Sequence, residues 1–501
     1  MQAAHSEALD APGRQAALDA PGRQEALDAP GRQAALDAPG RQAALDAPGR
    51  QAALDAPGRQ AALDALRGLA VLGMVLSGSI GFGPHLPGWM YHAQVPPPLF
   101  RFAGANALPG LTWVDLVFPA FLFAMGAAIP LAARGQGVLQ GAWTAVRRGA
   151  LLLGFALFVE HMKAARISST PEPWAQGLSL LAFVFLGLML VRATPLGLRL
   201  AAFAGGAALL ALLPFADGQG FKPQRQDIIL VVLANMALFG GLLWWATRRW
   251  PMARWAVCLG VVAVMLSPPE AWTRAWLDAT PAGWAYRFVF LKYLLVVVPG
   301  LWLGEVLARA PEPAPAARHA ALAGLALALV VLNLVGLYTR ATGWNALLST
   351  LGLAAGCGLL RGAGGGAGWL APAWRLASLL MLVGLFIEPL QGGIRKDPST
   401  FSYQLVGAGC AVLLLVALQG LQGSRVQAFL AFLAGQGRNP LLAYVAGSLC
   451  VLPLLHLSGL HAAWAGLNTG WFTALLKGLL FTGAVAALTA CANRYRWVWR
   501  S

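Results

Sequence analysis

Long apolar runs separated by short polar punctuation fill the chain from residue 66 to its C-terminus. They lie near 66–82, 110–130, 143–159, 177–192, 196–214, 227–246, 255–267, 286–308, 318–338, 344–360, 374–390, 402–420, 439–456 and 471–491. An α-helix needs roughly 20 predominantly apolar residues to cross a bilayer. Several runs are short or glycine-rich, so the pattern predicts an all-α polytopic membrane protein, a bundle of about 11–14 transmembrane helices. Residues 8–61 break the pattern with a tandem nonamer, ALDAPGRQA, in which Leu recurs at 9, 18, 27, 36, 45, 54 and 63. Each unit carries a Pro-Gly step that interrupts a helix and offers one leucine as its only sizeable apolar group. A disordered low-complexity tail over 1–61 and a membrane domain over 62–501 follow. The nonamer reads as an expansion of the sequence at the membrane domain's own opening. No apolar core precedes residue 66, so no signal peptide is expected.

Composition sharpens the class without changing it. The chain is 58% hydrophobic and 11% charged, too little charge for a soluble chain of 501 residues. Its net charge is +16, yet residues 1–65 hold six Arg against nine acids, so the basic excess belongs to the apolar part. Arg and Lys beside membrane helices set topology and meet anionic headgroups, so the lipid bilayer is the expected partner and nucleic acid is not. With the N-terminus inside and the runs alternating, 18 Arg fall at inside ends and 11 Arg or Lys outside, which predicts both termini in the cytoplasm. The five cysteines all fall within apolar runs without a ligand spacing, so neither disulfide nor metal site is expected.

Candidate chemistry gathers between Pro84 and Pro130. The first half is a proline-rich polar loop holding His85 and His92; the second, GLTWVDLVFPAFLFAMGAAIP, is an apolar helix with Thr112 placed to cap it and Asp115 in its first turn. An acid at the mouth of a membrane helix beside two histidines marks a functional site, or else Asp115 only caps its helix. The loop must return to the helix start, which predicts His92 and Asp115 within reach of one another, with Pro96–Pro98 stiffening the return. His161, after Glu160, is a further histidine whose tautomer a carboxylate can fix. Lys292, Glu388 and Asn439 are polar groups inside apolar runs; each either lines a site or serves a helix end.

The stretch Gly110–Pro130 resembles the membrane acyltransferase family of heparan-alpha-glucosaminide N-acetyltransferase and its bacterial relatives, whose second core helix opens with a Gly-x-Thr-x-x-Asp-Leu-Val-Phe-Pro motif. LDALRG at 63–68, LKYLLVVVPGLWLGE at 291–305 and GRNPLLAY at 437–444 are similar to other passages of that family, and EPLQGGIRKDPSTFSY at 388–403 to a bacterial branch. The resemblance implies acetyl transfer from cytoplasmic acetyl-CoA to a sugar or glycan acceptor on the outer face of a bacterial cytoplasmic membrane, in a fold compatible with a homo-oligomer. It makes Asp115, with His92 or His161, the catalytic candidates, and His85, Thr112, Lys292, Glu388 and Asn439 the substrate-binding ones. The family histidine seven residues before the motif threonine is Ala105 here. Either a loop histidine takes its place, or the protein is a non-catalytic or transport member handling a polar or lipid-linked solute.

Overall fold

The computed structural model describes residues 59–95, 108–170, 172–191, 193–310, 317–361 and 367–499. Residues 1–58 of the nonamer tail expected to be disordered, the Pro96–Pro98 turn and Ala105 lie outside the described residues. Among the described residues there is no strand, and twelve helices are long and apolar enough to cross a membrane. We label these α1 (Gln60–Ser79), α2 (Trp113–Ala132), α3 (Val138–His161), α4 (Pro173–Leu190), α5 (Ile228–Thr247), α6 (Phe288–Arg309), α7 (Arg318–Tyr338), α8 (Thr342–Arg361), α9 (Leu370–Ile387), α10 (Phe401–Gly420), α11 (Pro440–Leu457) and α12 (Trp471–Arg494).

Two shorter apolar helices, Leu196–Leu212 and Pro251–Met265, occupy the remaining predicted runs. Both traverse the bundle. Ala216 N–H donates to Arg166 O, which returns the chain to the end where α3 finished, and Asn235 Nδ2 donates to Ala285 O near the start of α5. The starts of α2, α5, α6 and α10 therefore share one end, the "His92 end", with the finish of α3. The start of α1 and the finish of α12 share the other.

The first helix begins earlier than the apolar pattern suggested, two residues inside the nonamer array. Its start follows the last Pro-Gly, Pro57-Gly58, beyond which nothing interrupts a helix. Asp64 and Arg67 are thereby carried into the membrane helix. The most enclosed helices are α2 and α10, each with 83% of its core window buried against 22% for α8. Buried polar groups on the outer helices find local partners: Asn333 of α7 donates to Ser349 Oγ of α8 and accepts from Asn345.

Periodicity did not reveal the helix Gln427–Arg438, which crosses α1 through a glycine on each side. A Cβ on Gly68 would clash with the carbonyl oxygen of Leu433, and one on Gly437 with that of Asp64. The glycines of LDALRG and GRNPLLAY are thus explained by backbone-to-backbone approach. Overpacking of this kind costs about 1–3 kcal/mol. Gly68→Val should lower the thermal unfolding midpoint in detergent, while Gly435→Ala, whose added Cβ meets nothing within 4 Å, should leave it unchanged or raise it slightly.

Candidate functional site

The site is built on the first turn of α2. Asp115 is fully buried there, and every direction from its carboxylate is filled. Oδ2 accepts the N–H of Thr112 at 3.0 Å, the third residue back, which caps the helix start, and the N–H of Ala93 at 3.2 Å. Oδ1 lies 2.7 Å from Nδ1 of His92. A carboxylate only accepts, so Nδ1 carries the proton and Nε2 lies on the ring edge away from Asp115. Thr112 Oγ1 lies 2.7 Å from Tyr91 O and 3.0 Å from Asp115 Oδ2. His92 is thus held from both flanks, and its side chain is 29% exposed. The Asp115 carbonyl accepts the hydroxyl of buried Tyr403 at 2.9 Å.

A lysine that sequence reasoning placed in a basic loop, but not beside His92, completes the cluster. Lys396 Nζ lies 3.1 Å from both ring nitrogens of His92, so it stands over the ring face rather than along one lone pair. Asp115 and Lys396 therefore act on the imidazole with opposite charges from two sides. Burial pushes the Lys396 ammonium below the usual lysine pKa, against the pull of Asp115 and Asp397. The lysine arrives on the α9–α10 loop, strapped down by two bonds to residues that are themselves bonded to each other. Gly110 N–H donates to Ile394 O at 2.9 Å, Lys396 N–H to Gln94 Oε1 at 3.1 Å, and Gln94 Nε2 to Gly110 O at 3.2 Å.

Glu388 anchors that loop. Its Oε1 accepts the Ile394 N–H at 3.0 Å and pairs with Arg340 at 2.6 Å, so it shapes the loop. Lys292 Nζ donates to Ser399 O at 3.3 Å on the same loop, beside the Lys396 segment. Among the residues expected in one site, His92, Asp115, Thr112 and Lys292 do gather at the His92 end.

Over residues 59–307 the chain is similar to a family model described as a domain of unknown function, DUF5009. No curated protein matches the chain. The DUF5009-like stretch holds His92, Thr112, Asp115 and Lys292, while Lys396, Glu388 and Asn439 lie beyond it.

The other candidates have different work. His161 is buried beneath Phe215 and Phe221. Its Nδ1 lies 2.7 Å from Leu157 O, and its Nε2 accepts the Lys222 N–H at 3.3 Å. Both nitrogens thus serve the backbone, and Glu160 pairs instead with Lys163 and Arg166. The expectation that Glu160 orients His161 is corrected: a helix carbonyl sets its tautomer. His85 is half-buried in the turn before Gly88 and forms no hydrogen bond among the described residues. Asn439 accepts the Trp499 N–H at 3.1 Å and donates to Trp497 O at 2.9 Å, which ties the C-terminal segment to the bundle. It is a tether, away from the His92 end.

That tether closes one wall of a second feature. A cavity of about 490 Å³ is lined by Arg67, Arg148, Arg438 and Asp64 together with apolar groups of α2, α5 and α11, and Trp499. Arg67 pairs with Asp64 at 2.7 Å, and Arg438 approaches it at 3.8 Å. Arg148 has a buried Nε without a partner. Three guanidiniums face one carboxylate, an arrangement suited to an anion. Phe121, Met125 and Ala128 of α2 line this cavity. Phe118 and Phe121, with Met74 and Tyr444, line a constriction of about 10 Å³ above it. Extended one turn further back, that stripe of α2 reaches Asp115.

Asp115→Asn keeps the shape of the side chain but places an amide where a carboxylate takes N–H groups from three residues. A buried donor left facing donors costs about 1–3 kcal/mol. The expected outcome is a lower unfolding midpoint together with faster hydrogen exchange in residues 91–94, measured by mass spectrometry; unchanged exchange there would show that Asp115 does not hold the loop.

Proposed function

We propose that the protein is a membrane acyltransferase that moves acetyl from acetyl-CoA to a hydroxyl or amine of a sugar or glycan. The observation that carries this reading is the placement of two unlike sites along one helix. A His–Asp pair stands at the start of α2, and a cavity with surplus guanidiniums lies about 15 Å further along it, taking ten residues from Asp115 to Met125. The anionic part of the donor suits the arginines, and its thioester arm suits the apolar stripe of α2. His92 takes the acceptor's proton at Nε2, the acceptor heteroatom bonds to the acyl carbon, and the carbon–sulfur bond breaks as the leaving sulfur takes that proton back from Nε2 and departs as the thiol. Asp115 fixes the tautomer and stabilises the imidazolium. Transfer requires the constriction at Phe118 to widen.

The arginine-rich loops at the opposite end from His92 support placing both termini in the cytoplasm of a bacterium, with the acceptor on the outer face. A reporter fused at Ser501 that is active only outside the cytoplasm would reverse this orientation. One sequence feature favours the transport alternative: the histidine of the resembled family stands as Ala105.

The discriminating measurement is thiol release from acetyl-CoA by purified protein in nanodiscs, with and without amino sugars. Loss of a general base typically costs 10²–10⁴-fold, so His92→Ala should lower turnover by about a hundredfold or more while His161→Asn leaves it near the starting value. Wild-type turnover in His92→Ala would remove His92 from the chemistry. Solute binding without any thiol release would favour transport.

A further inference from the structure

A second large cavity, of about 440 Å³, opens between the ends of α4 and α12 and the start of the helix Leu196–Leu212. It lies at the end of the bundle opposite His92. Its walls are apolar: Phe183, Val184 and Leu188 of α4, Leu198, Leu442 of α11 and Leu488 of α12, with Trp497 and Trp499 closing it. Val184 and Leu198 are more than half exposed at its mouth, so it opens sideways toward the membrane.

The C-terminal turn places two arginines between residues that line this cavity, Ala492 and Trp497. Arg496 takes a left-handed backbone, φ 59°, and Trp497 N–H donates to Ala492 O at 2.8 Å, which closes the end of α12. Glycine is the usual residue at such a position, so an arginine there is held against a steric cost. The reversal folds Trp499 into the cavity wall, sets the more exposed Trp497 at its edge, and leaves Arg494, Tyr495 and Arg496 exposed on the turn between α12 and Trp497. Tyr495 and Trp497 rings pack 5.8 Å apart. Aromatic rings flanked by exposed arginines at a helix end fit the level of lipid headgroups.

We infer that this cavity binds one anionic phospholipid, its acyl chain between α4 and α12 and its phosphate at Arg494 and Arg496. An acyl chain fills an apolar, laterally open space of this volume, and a phosphate complements two guanidiniums that have no acid beside them in sequence. The occupant packs against Trp499, which is also a wall of the arginine-lined cavity. The site stands on the cavity and its rim and does not rest on the acyltransferase reading.

The test is lipid titration of delipidated full-length protein followed by native mass spectrometry, comparing phosphatidylglycerol with phosphatidylcholine. Phosphatidylglycerol should bind at least tenfold more tightly. The double variant Arg494→Gln/Arg496→Gln should bring the two lipids within about twofold of each other, and Val184→Trp/Leu198→Trp, which fills the mouth from exposed positions, should weaken both. Equal affinity of the two lipids for the wild-type protein would overturn the headgroup assignment. Unchanged binding to the tryptophan variant would overturn the cavity assignment, and the arginine variant, altered only at exposed positions, keeps the test independent of any packing defect.

Discussion

A buried carboxylate in a bundle of this kind is tolerated only when its charge is met from all sides, and Asp115 imposes that condition on everything near the start of α2. Its two oxygens collect backbone N–H groups from Thr112 and Ala93 and the Nδ1–H of His92. To deliver the last two, the segment after α1 has to fold back on the helix it precedes. Lys396 supplies a compensating positive charge, which in turn brings the α9–α10 loop onto the same spot. The orientation of one histidine, the path of two loops and the start of the most buried helix follow from neutralising one group.

Polar residues elsewhere in the bundle divide by how completely they are satisfied. Arg254 and Glu305 pair at 2.7 Å and Trp244 donates to the same carboxylate oxygen, so this pair ties α5, α6 and the helix Pro251–Met265 together. Asn333, Asn345 and Ser349 are hydrogen-bonded to one another between α7 and α8. His161 spends both nitrogens on the backbone. These groups hold helices in register. The cavity around Arg67, Arg148 and Arg438 differs because its positive charge exceeds its negative. The His92 cluster differs because its imidazole stays partly exposed between opposite charges. Those two clusters lie along one helix, and they carry the functional reading.

The C-terminal segment connects two features that are remote in sequence. Asn439, just before α11, holds the backbone of residues 497–499 against the bundle. Trp499 is thereby fixed as a partition, with the arginine-lined cavity on one side and the apolar, membrane-open cavity on the other. Shortening the chain by a few residues would remove a wall from both.

Much of this protein was legible from residue order alone, because crossing a bilayer demands a long apolar run whatever the fold. The runs predicted at 196–214 and 255–267 reappear as the two shorter helices, and the other predicted runs as α1 to α12. The approach of His92 to Asp115 was also legible: the acid opens a helix, and the loop before it must lead back to it. The start of α1 was misjudged because hydropathy registers burial in lipid, whereas a helix continues until a proline or glycine stops it. The helix Gln427–Arg438 escaped because its 12 residues fall short of the roughly 20 that a membrane crossing needs. The contact of Lys396 with His92 could not be found in advance, since the lysine reaches it from 304 positions along the chain. Nor could the roles of Glu388 and Asn439, whose side chains look alike as site groups or anchors until their partners are in place. Hydrophobicity and helix capping are properties of neighbouring residues and can be read in sequence. Which charge meets which across the bundle depends on helix packing, and the tertiary structure alone decided it.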